Sequence, residues 1–205
     1  ENALLCVETH SPSAWVGEAN RVFLRGIEEL ERDFMERESV RLADVVISPS
    51  HYMLEWMQGH GWELPTACFV QPNILPASAA RASLPDSTRL PKVQELVFFG
   101  RLEERKGVEL FCRALDALGE APEMAGLTIS FLGKPATVQG CPSTDYIRQR
   151  AQGWPWRWQI LSEYNQKDAV EYLQAGARLA VIPSLMENLP NTVLECLGAG
   201  VPFIA

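Results

Sequence analysis

Two glutamates, Glu187 and Glu195, stand with seven residues between them in the segment SLMENLPNTVLECLGAG, residues 184–200. A carboxylate there can face a sugar or a developing positive charge, or accept hydrogen bonds from ribose hydroxyls, as acidic residues do in many nucleotide-binding α/β domains. Between the two, Asn188, Leu189, Pro190, Asn191 and Thr192 put backbone N–H groups at a helix start, a place that suits phosphate. A second constellation is GRLEERKG, Gly100 to Gly107. Two glycines bracket a loop that can approach a diphosphate closely, with Arg101 as a planar fork and Lys106 as a point charge. Each set has a plainer alternative. Acidic residues near a helix N-terminus are stabilised by its dipole, and Glu103, Glu104, Arg105 and Lys106 can pair among themselves on a solvated turn.

The elements that must position these residues follow from periodicity. The apolar run Leu179 to Ile182 stops at Pro183, as a buried strand does, and polar loop residues follow it. Pro190 suits the first turn of a helix, which is expected from about Pro190 to Leu197, ending at Gly198 or Gly200 before the strand VPFIA. The strand ELVFF leads directly into GRLEERKG. Further strands are expected at LTISFL and WQIL, with helices over 107–118, 144–152 and 166–174. This alternation from about residue 93 to 205 describes a Rossmann-like, doubly wound domain, without a GxGxxG after any strand. Residues 1–75 repeat the alternation on a smaller scale: a strand in ALLCVET, a loop at THSPSAWVG, and a long helix from Glu18 to Ala43 with Phe23, Ile27, Leu30 and Phe34 on one face. The strand DVVISPS, a helix over 50–58 closed by Gly59, and the strand ACFVQ complete it. Residues 76–92 are rich in Pro, Ala and Ser, the composition of a linker. The fold class is therefore α/β with two parallel-sheet domains.

Composition narrows the partners. With 26 acidic against 18 basic residues the formal net charge is −8, which repels nucleic acid and anionic lipid. Hydrophobic residues make up 47% and charged residues 21%, the balance of a globular protein rather than a disordered one. The five cysteines, Cys6, Cys68, Cys112, Cys141 and Cys196, are scattered and show no metal-ligand spacing, so reduced thiols in a cytoplasmic protein are expected. No apolar run approaches the roughly 20 residues of a membrane span; peripheral contact at the inner face of the membrane stays open. The chain starts at Glu1 and stops on a strand, and we expect it to be a piece of a longer protein.

GRLEERKG and the E-x7-E segment, in this order and each at a strand end, resemble the retaining glycosyltransferases of family 4, with the two-Rossmann-domain (GT-B) architecture. ADVVISPSHYMLEWM followed by VQPNIL adds to the resemblance more loosely. It implies that residues 1–75 are the second half of an acceptor-side domain and 93–205 a nucleotide-sugar-binding domain cut short at its C-terminus. It also implies that Arg101 and Lys106, beside Gly100, hold the donor's diphosphate, that Glu187 lies beside the donor sugar, and that Glu195 binds the ribose. Asn188 to Thr192 then meet sugar and phosphate. No metal and no cofactor are needed, the nucleotide-sugar being a substrate and a glycan or lipid-linked molecule the acceptor, as in polysaccharide biosynthesis.

His10, after the first strand, could touch the donor sugar, though a lone histidine is more often structural; His51 and His60 have weaker claims, and Ser50 reads as an N-cap. Two stretches depart from the family pattern. GWPWRWQILSEYN alternates Trp154, Trp156 and Trp158, best read as one buried face, and leaves the base preference open through the loop Ser162 to Asn165. KPATVQGCPSTDY looks like an insertion. A noncatalytic nucleotide-sugar-binding module and a GT-B-like sugar-nucleotide epimerase are the competing expectations, and the isolated chain is expected to turn over little.

Overall fold

The computed structural model of the chain describes residues 3–22, 26–74, 92–119 and 121–205. Its contacts divide into two units, Glu1–Ile74 with Met186–Leu189, and Leu75–Leu185 with Pro190–Ala205.

The first unit runs β1 (Cys6–Glu8), α1 (Ser13–Ala19), α2 (Ile27–Arg41), β2 (Val45–Ser48), α3 (His51–Gly59) and β3 (Ala67–Val70). Its three strands pair in parallel in the order β1-β2-β3. Trp15, Val40, Val46, Met53, Met57 and Trp62 form its core. Three expectations for this unit need correction. THSPSAWVG is not all loop, because α1 forms from Ser13, where the Glu36 carboxylate accepts both the Ser13 N–H and its hydroxyl at 2.8 Å and Trp15 is 1% exposed. The single helix from Glu18 to Ala43 is two. The chain turns between them through Arg21 at φ 55°, and α2 starts afresh after Gly26, whose N–H meets the Glu29 carboxylate at 3.3 Å. The apolar face of α2 does not enter the core: Ile27, Leu30 and Phe34 are exposed, and Val40 is the residue of α2 that is buried. Phe23 lies outside the described residues. Ser50 caps α3 as expected, accepting from Met53 N at 3.2 Å, but the helix continues through Gly59, and the left-handed residue beyond it is Gly61 at φ 73°.

The second unit runs β4 (Glu95–Phe99), α4 (Val108–Leu118), β5 (Thr128–Leu132), β6 (Thr137–Val138), β7 (Cys141–Pro142), α5 (Ser143–Ala151), β8 (Arg157–Leu161), α6 (Gln166–Gln174), β9 (Arg178–Val181), α7 (Asn191–Ala199) and β10 (Phe203–Ile204). Five strands pair in parallel in the order β10-β9-β4-β5-β8. Their buried runs follow from a sheet covered on both faces. One cluster gathers Phe98, Phe111, Ile129, Phe131, Ile147 and Trp156, with Trp154 and Trp158 against it. The alternating tryptophans thus do share one buried side, and Trp156 Nε1 donates to the Met124 carbonyl at 2.9 Å. The other cluster gathers Val97, Phe99, Leu132, Leu173, Ala180 and Cys196. The stretch expected as an insertion carries the short antiparallel pair β6 and β7. Residues 75–91, which hold nearly all of the expected linker, lie outside the described residues.

Candidate functional site

In the second unit β4 lies between β5 and β9, and the strand order reverses there. Ligands of open parallel sheets bind outside the carboxyl ends of the strands at such a switch point. GRLEERKG leaves the carboxyl end of β4, and the segment PSL leaves that of β9, so the two constellations read separately in the sequence emerge side by side. They also touch. Leu185 N donates to the Arg105 carbonyl at 2.9 Å, and a Cβ at Gly107 would sit 1.9 Å from the Pro183 carbonyl oxygen. Gly107 has φ 79° and forms the left-handed N-cap of α4, so both backbone conformation and space require glycine there.

Within the loop the charges divide into two groups. Glu103 and Arg105 pair at 2.8 Å with side chains only 8% and 11% exposed, so the mutual-pairing alternative holds for these two and they serve the loop's own structure. Glu104 is buried as well and accepts from Gln139 N at 3.4 Å, tying the loop to the β6–β7 insertion. Arg101, 65% exposed and 4.0 Å from Glu103, keeps its guanidinium toward solvent. The stem of Lys106 passes over Gly100, whose added Cβ would lie 3.9 Å from Lys106 Cδ. That is ordinary contact, and the demand for glycine at position 100 comes from φ 150° instead.

The charge of Lys106 acts on Glu195. Burial raises the Glu195 carboxyl above the usual range, while a hydrogen bond from Gln166 and the charge of Lys106 pull it back in part. Gln166 Nε2 stands 2.5 Å from Glu195 Oε1. Gln166 is absent from the residues singled out in the sequence. Its one signal there is its place as the first residue of the helix after β8, at the same sheet edge as the other loops.

α7 begins after Pro190 with no side-chain cap. Its second residue, Thr192, has a buried hydroxyl without a hydrogen-bond partner, as does Ser184 before it. Asn191 is exposed at the helix start. Glu187, Asn188 and Leu189 belong to the piece that groups with the first unit. There Asn188 Nδ2 donates to the His10 carbonyl at 2.7 Å, and the Ser50 hydroxyl donates to the Asn188 side-chain carbonyl. Ser50 thus does more than cap α3. The His10 ring faces Glu8 at 3.1 Å with its side chain 54% exposed. Glu187 is half-buried. Among the described residues no three His, Cys, Asp or Glu side chains are placed to hold a metal ion.

A family model described as "Glycosyl transferases group 1" matches residues 93–205, more than half of the chain. The chain belongs to the group 1 glycosyl transferases. A search of curated protein sequences finds no match. Among solved structures, this group 1 chain is similar to sucrose-phosphate synthase from Thermosynechococcus elongatus, with TM-score 0.64, 18% identity, and 98% of this chain covering 49% of that one. It is similar to S. aureus TarM in a complex with UDP, with TM-score 0.66, 12% identity, and 99% of this chain covering 36% of that one. It is also similar to the pneumococcal O-GlcNAc transferase GtfA in complex with UDP and GlcNAc, with TM-score 0.56, 18% identity, and 98% covering 37%. The fold is thus the α/β, Rossmann-like fold of GT-B glycosyltransferases, and the group 1 chain spans between about a third and a half of the length of these proteins. Among the described residues no helix is long and apolar enough to cross a membrane.

Proposed function

We propose that the protein carrying this chain is a retaining glycosyltransferase of family 4, moving a sugar from a nucleotide-sugar to a glycan or lipid-linked acceptor. Residues 93–205 form its donor-binding domain, 1–75 the second half of its acceptor-side domain, and 76–92 the linker. The observation that carries the reading is the contact of the loops that leave β4 and β9, Leu185 N to the Arg105 carbonyl and Gly107 against Pro183, at the switch point of a domain matched by the group 1 family model.

In this reading Arg101 and Lys106 hold the diphosphate, with Gly100 supplying the backbone turn, at φ 150°, that opens their loop. Breaking the anomeric bond loads negative charge on the departing nucleoside diphosphate. Two fixed cations and the uncapped start of α7 at Pro190, Asn191 and Thr192 stabilise that charge more than they stabilise the intact donor, which is what lowers a barrier. Glu195 accepts from the ribose. Glu187, with Asn188 and Leu189, lies beside the donor sugar and steadies positive charge as it develops on the anomeric carbon, and His10 contacts the same sugar. The reaction uses no metal and no cofactor, and the enzyme works in the cytoplasm or at the inner face of the membrane.

The test uses the full-length protein. UDP-sugars come first, because two of the similar structures hold UDP, followed by GDP- and ADP-sugars. Release of nucleoside diphosphate to an oligosaccharide or glycolipid acceptor, with the product's anomeric configuration read by NMR, is expected to show transfer with retention. Lys106→Ala and Glu187→Ala should each lower turnover by about a hundredfold or more, the scale of losing one preorganised charge-stabilising group. Near-normal rates in both, or an inverted product, would sink the assignment.

A further inference from the structure

Among the described residues β8, the outer strand of the five-stranded sheet, pairs with β5 alone. Gly133 fixes which of its backbone groups face that neighbour, because the Gly133 N–H donates to the Leu161 carbonyl at 3.1 Å. Backbone groups alternate sides along a strand. Arg157, Gln159 and Leu161 therefore turn theirs to β5, while Trp158 and Ile160 each turn an N–H and a carbonyl to the open edge. Beyond them the Ser162 carbonyl accepts from Lys134 Nζ at 2.8 Å. A groove of about 590 Å³ lies at this edge, lined by Thr128, Trp156, Arg157, Trp158 and Gln159. Natural edge strands are blunted by proline, lysine or a bulge. β8, RWQIL, has none of these and keeps register with β5 along its whole length.

We propose that β8 is a dimerisation edge, which takes the same strand of a second copy of the protein in antiparallel register across a two-fold axis at Gln159. A two-fold contact brings a surface onto itself, and this strand is complementary to itself. With Gln159 on the axis, Trp158 stands opposite the partner's Ile160, and the free N–H and carbonyl of each meet the free carbonyl and N–H of the other. Centring on Ile160 would instead set Trp158 against the partner's Ser162, whose carbonyl is engaged. The side chains agree with the first register. Trp158 and Ile160 both pack on the face of the Phe98 and Phe131 cluster, and an aromatic beside a β-branched residue is a favourable cross-strand pair. Charge selects the direction. The exposed Arg157 opens the strand and the exposed Glu163 follows its end, so antiparallel copies bring unlike charges together and parallel copies like charges. The loops after β4 and β9 take no part, and the dimer stands or falls apart from the donor-site reading.

The test is analytical sedimentation of the full-length protein from about 1 µM to about 1 mM at low salt, where end charges are least screened, with amide exchange followed at both ends of that range. A single strand-to-strand contact belongs to the small, transient class of interface, so a monomer–dimer equilibrium with a dissociation constant on the order of 100 µM is expected. The amides of Trp158 and Ile160 should exchange quickly in dilute protein and about fivefold more slowly at the highest concentration, where about a fifth of the protein is monomer. Those of Gln159 and Leu161, bonded to β5, should stay protected throughout. Arg157→Glu should weaken association about tenfold, as attraction at both symmetry-related ends becomes repulsion, and Arg157→Glu combined with Glu163→Arg should restore it to within about threefold of wild type. Four results each overturn the proposal: monomer at every concentration; Trp158 and Ile160 amides already protected in dilute protein, the edge then being covered within one copy; a dimer that leaves those amides unchanged; or a double variant that associates no better than Arg157→Glu.

Discussion

Replacing Arg178 by methionine should cost the second unit about 3–5 kcal/mol at neutral pH, the penalty for leaving a buried charge without its partner. Arg178 Nε stands 2.6 Å from Glu95 Oε2, with the two side chains 20% and 11% exposed. These residues begin β9 and β4 and face each other in register. Glu95 Oε1 also accepts from the hydroxyls of Tyr172, at 2.5 Å, and Ser130, and the Arg178 guanidinium lies 3.8 Å from the centre of the Tyr172 ring. Burial alone would raise the Glu95 carboxyl, but the hydrogen bonds from Ser130, Tyr172 and Arg178, with the Arg178 charge, outweigh it and hold the group below its usual value. The unfolded chain therefore takes up this proton first as pH falls. The stabilisation is complete above the ordinary carboxylate pKa of about 4.3 and is lost as pH drops through the lower native value. In Arg178→Met the cation is gone and burial dominates, so the native carboxyl gains from protonation and the deficit against wild type narrows in acid. Urea unfolding followed by circular dichroism at pH 7 and at about pH 3.5 measures both terms, and amide exchange in β4 and β9 locates them. Adding Glu95→Gln should recover part of the loss, since the uncompensated charge disappears. A cost under about 1 kcal/mol at pH 7, as for an exposed pair, or an equal cost at both pH values, would refute the reasoning.

Gly107→Ala should abolish binding of nucleoside diphosphates and lower stability by about 2 kcal/mol or more, combining a left-handed backbone penalty with a Cβ 1.9 Å from the Pro183 carbonyl oxygen. Gly59→Ala, inside α3 with nothing within 4 Å of the new Cβ, should instead stabilise by about 0.5–1 kcal/mol, and thermal melts distinguish the two. Donor affinity should weaken as pH falls through the raised Glu195 value, and Lys106→Ala should shift that loss to higher pH because the charge favouring the ionised form is removed; calorimetric titrations across pH 4–8 check it. Alkylation of the native protein at about pH 8 should modify the exposed Cys6 and spare Cys112 and Cys196, which are buried and whose thiols burial pushes up to about 12, as mass spectrometry can read.

The second unit was the more legible in sequence because its signals are local and agree with one another. ELVFF, LTISFL and LAVIP are continuous apolar runs, as strands covered on both faces must be, and each is followed by a helix with an apolar stripe. The first unit was harder for the same kind of reason. Phe23, Ile27, Leu30 and Phe34 make a convincing helical face, and α2 does form beneath its latter part, yet Ile27, Leu30 and Phe34 end in solvent. Periodicity reports that a face is apolar, not what it meets. The start of α1 was equally hidden, because the group that satisfies it, the Glu36 carboxylate, comes 23 residues later.

The candidate site turns on adjacency, which no local pattern carries. GRLEERKG and the E-x7-E segment lie some eighty residues apart in the chain, and each has a bland explanation while it stands alone. Parallel order β9-β4-β5 makes them neighbours. That order in turn requires the chain to leave β4 and β9 at the same edge and the two loops to pass each other at backbone distance. Gly107 against Pro183 is where this happens. A glycine that reads in sequence as the end of a charged turn is therefore the point at which the loops leaving β4 and β9 come into backbone contact. The pairing of Glu103 with Arg105 then has a distinct role from Arg101 and Lys106. Burying one ion pair stiffens the loop, and the Arg101 guanidinium stays toward solvent. Five of the six residues from Arg101 to Lys106 are charged, and burial separates Glu103, Glu104 and Arg105 from the exposed Arg101.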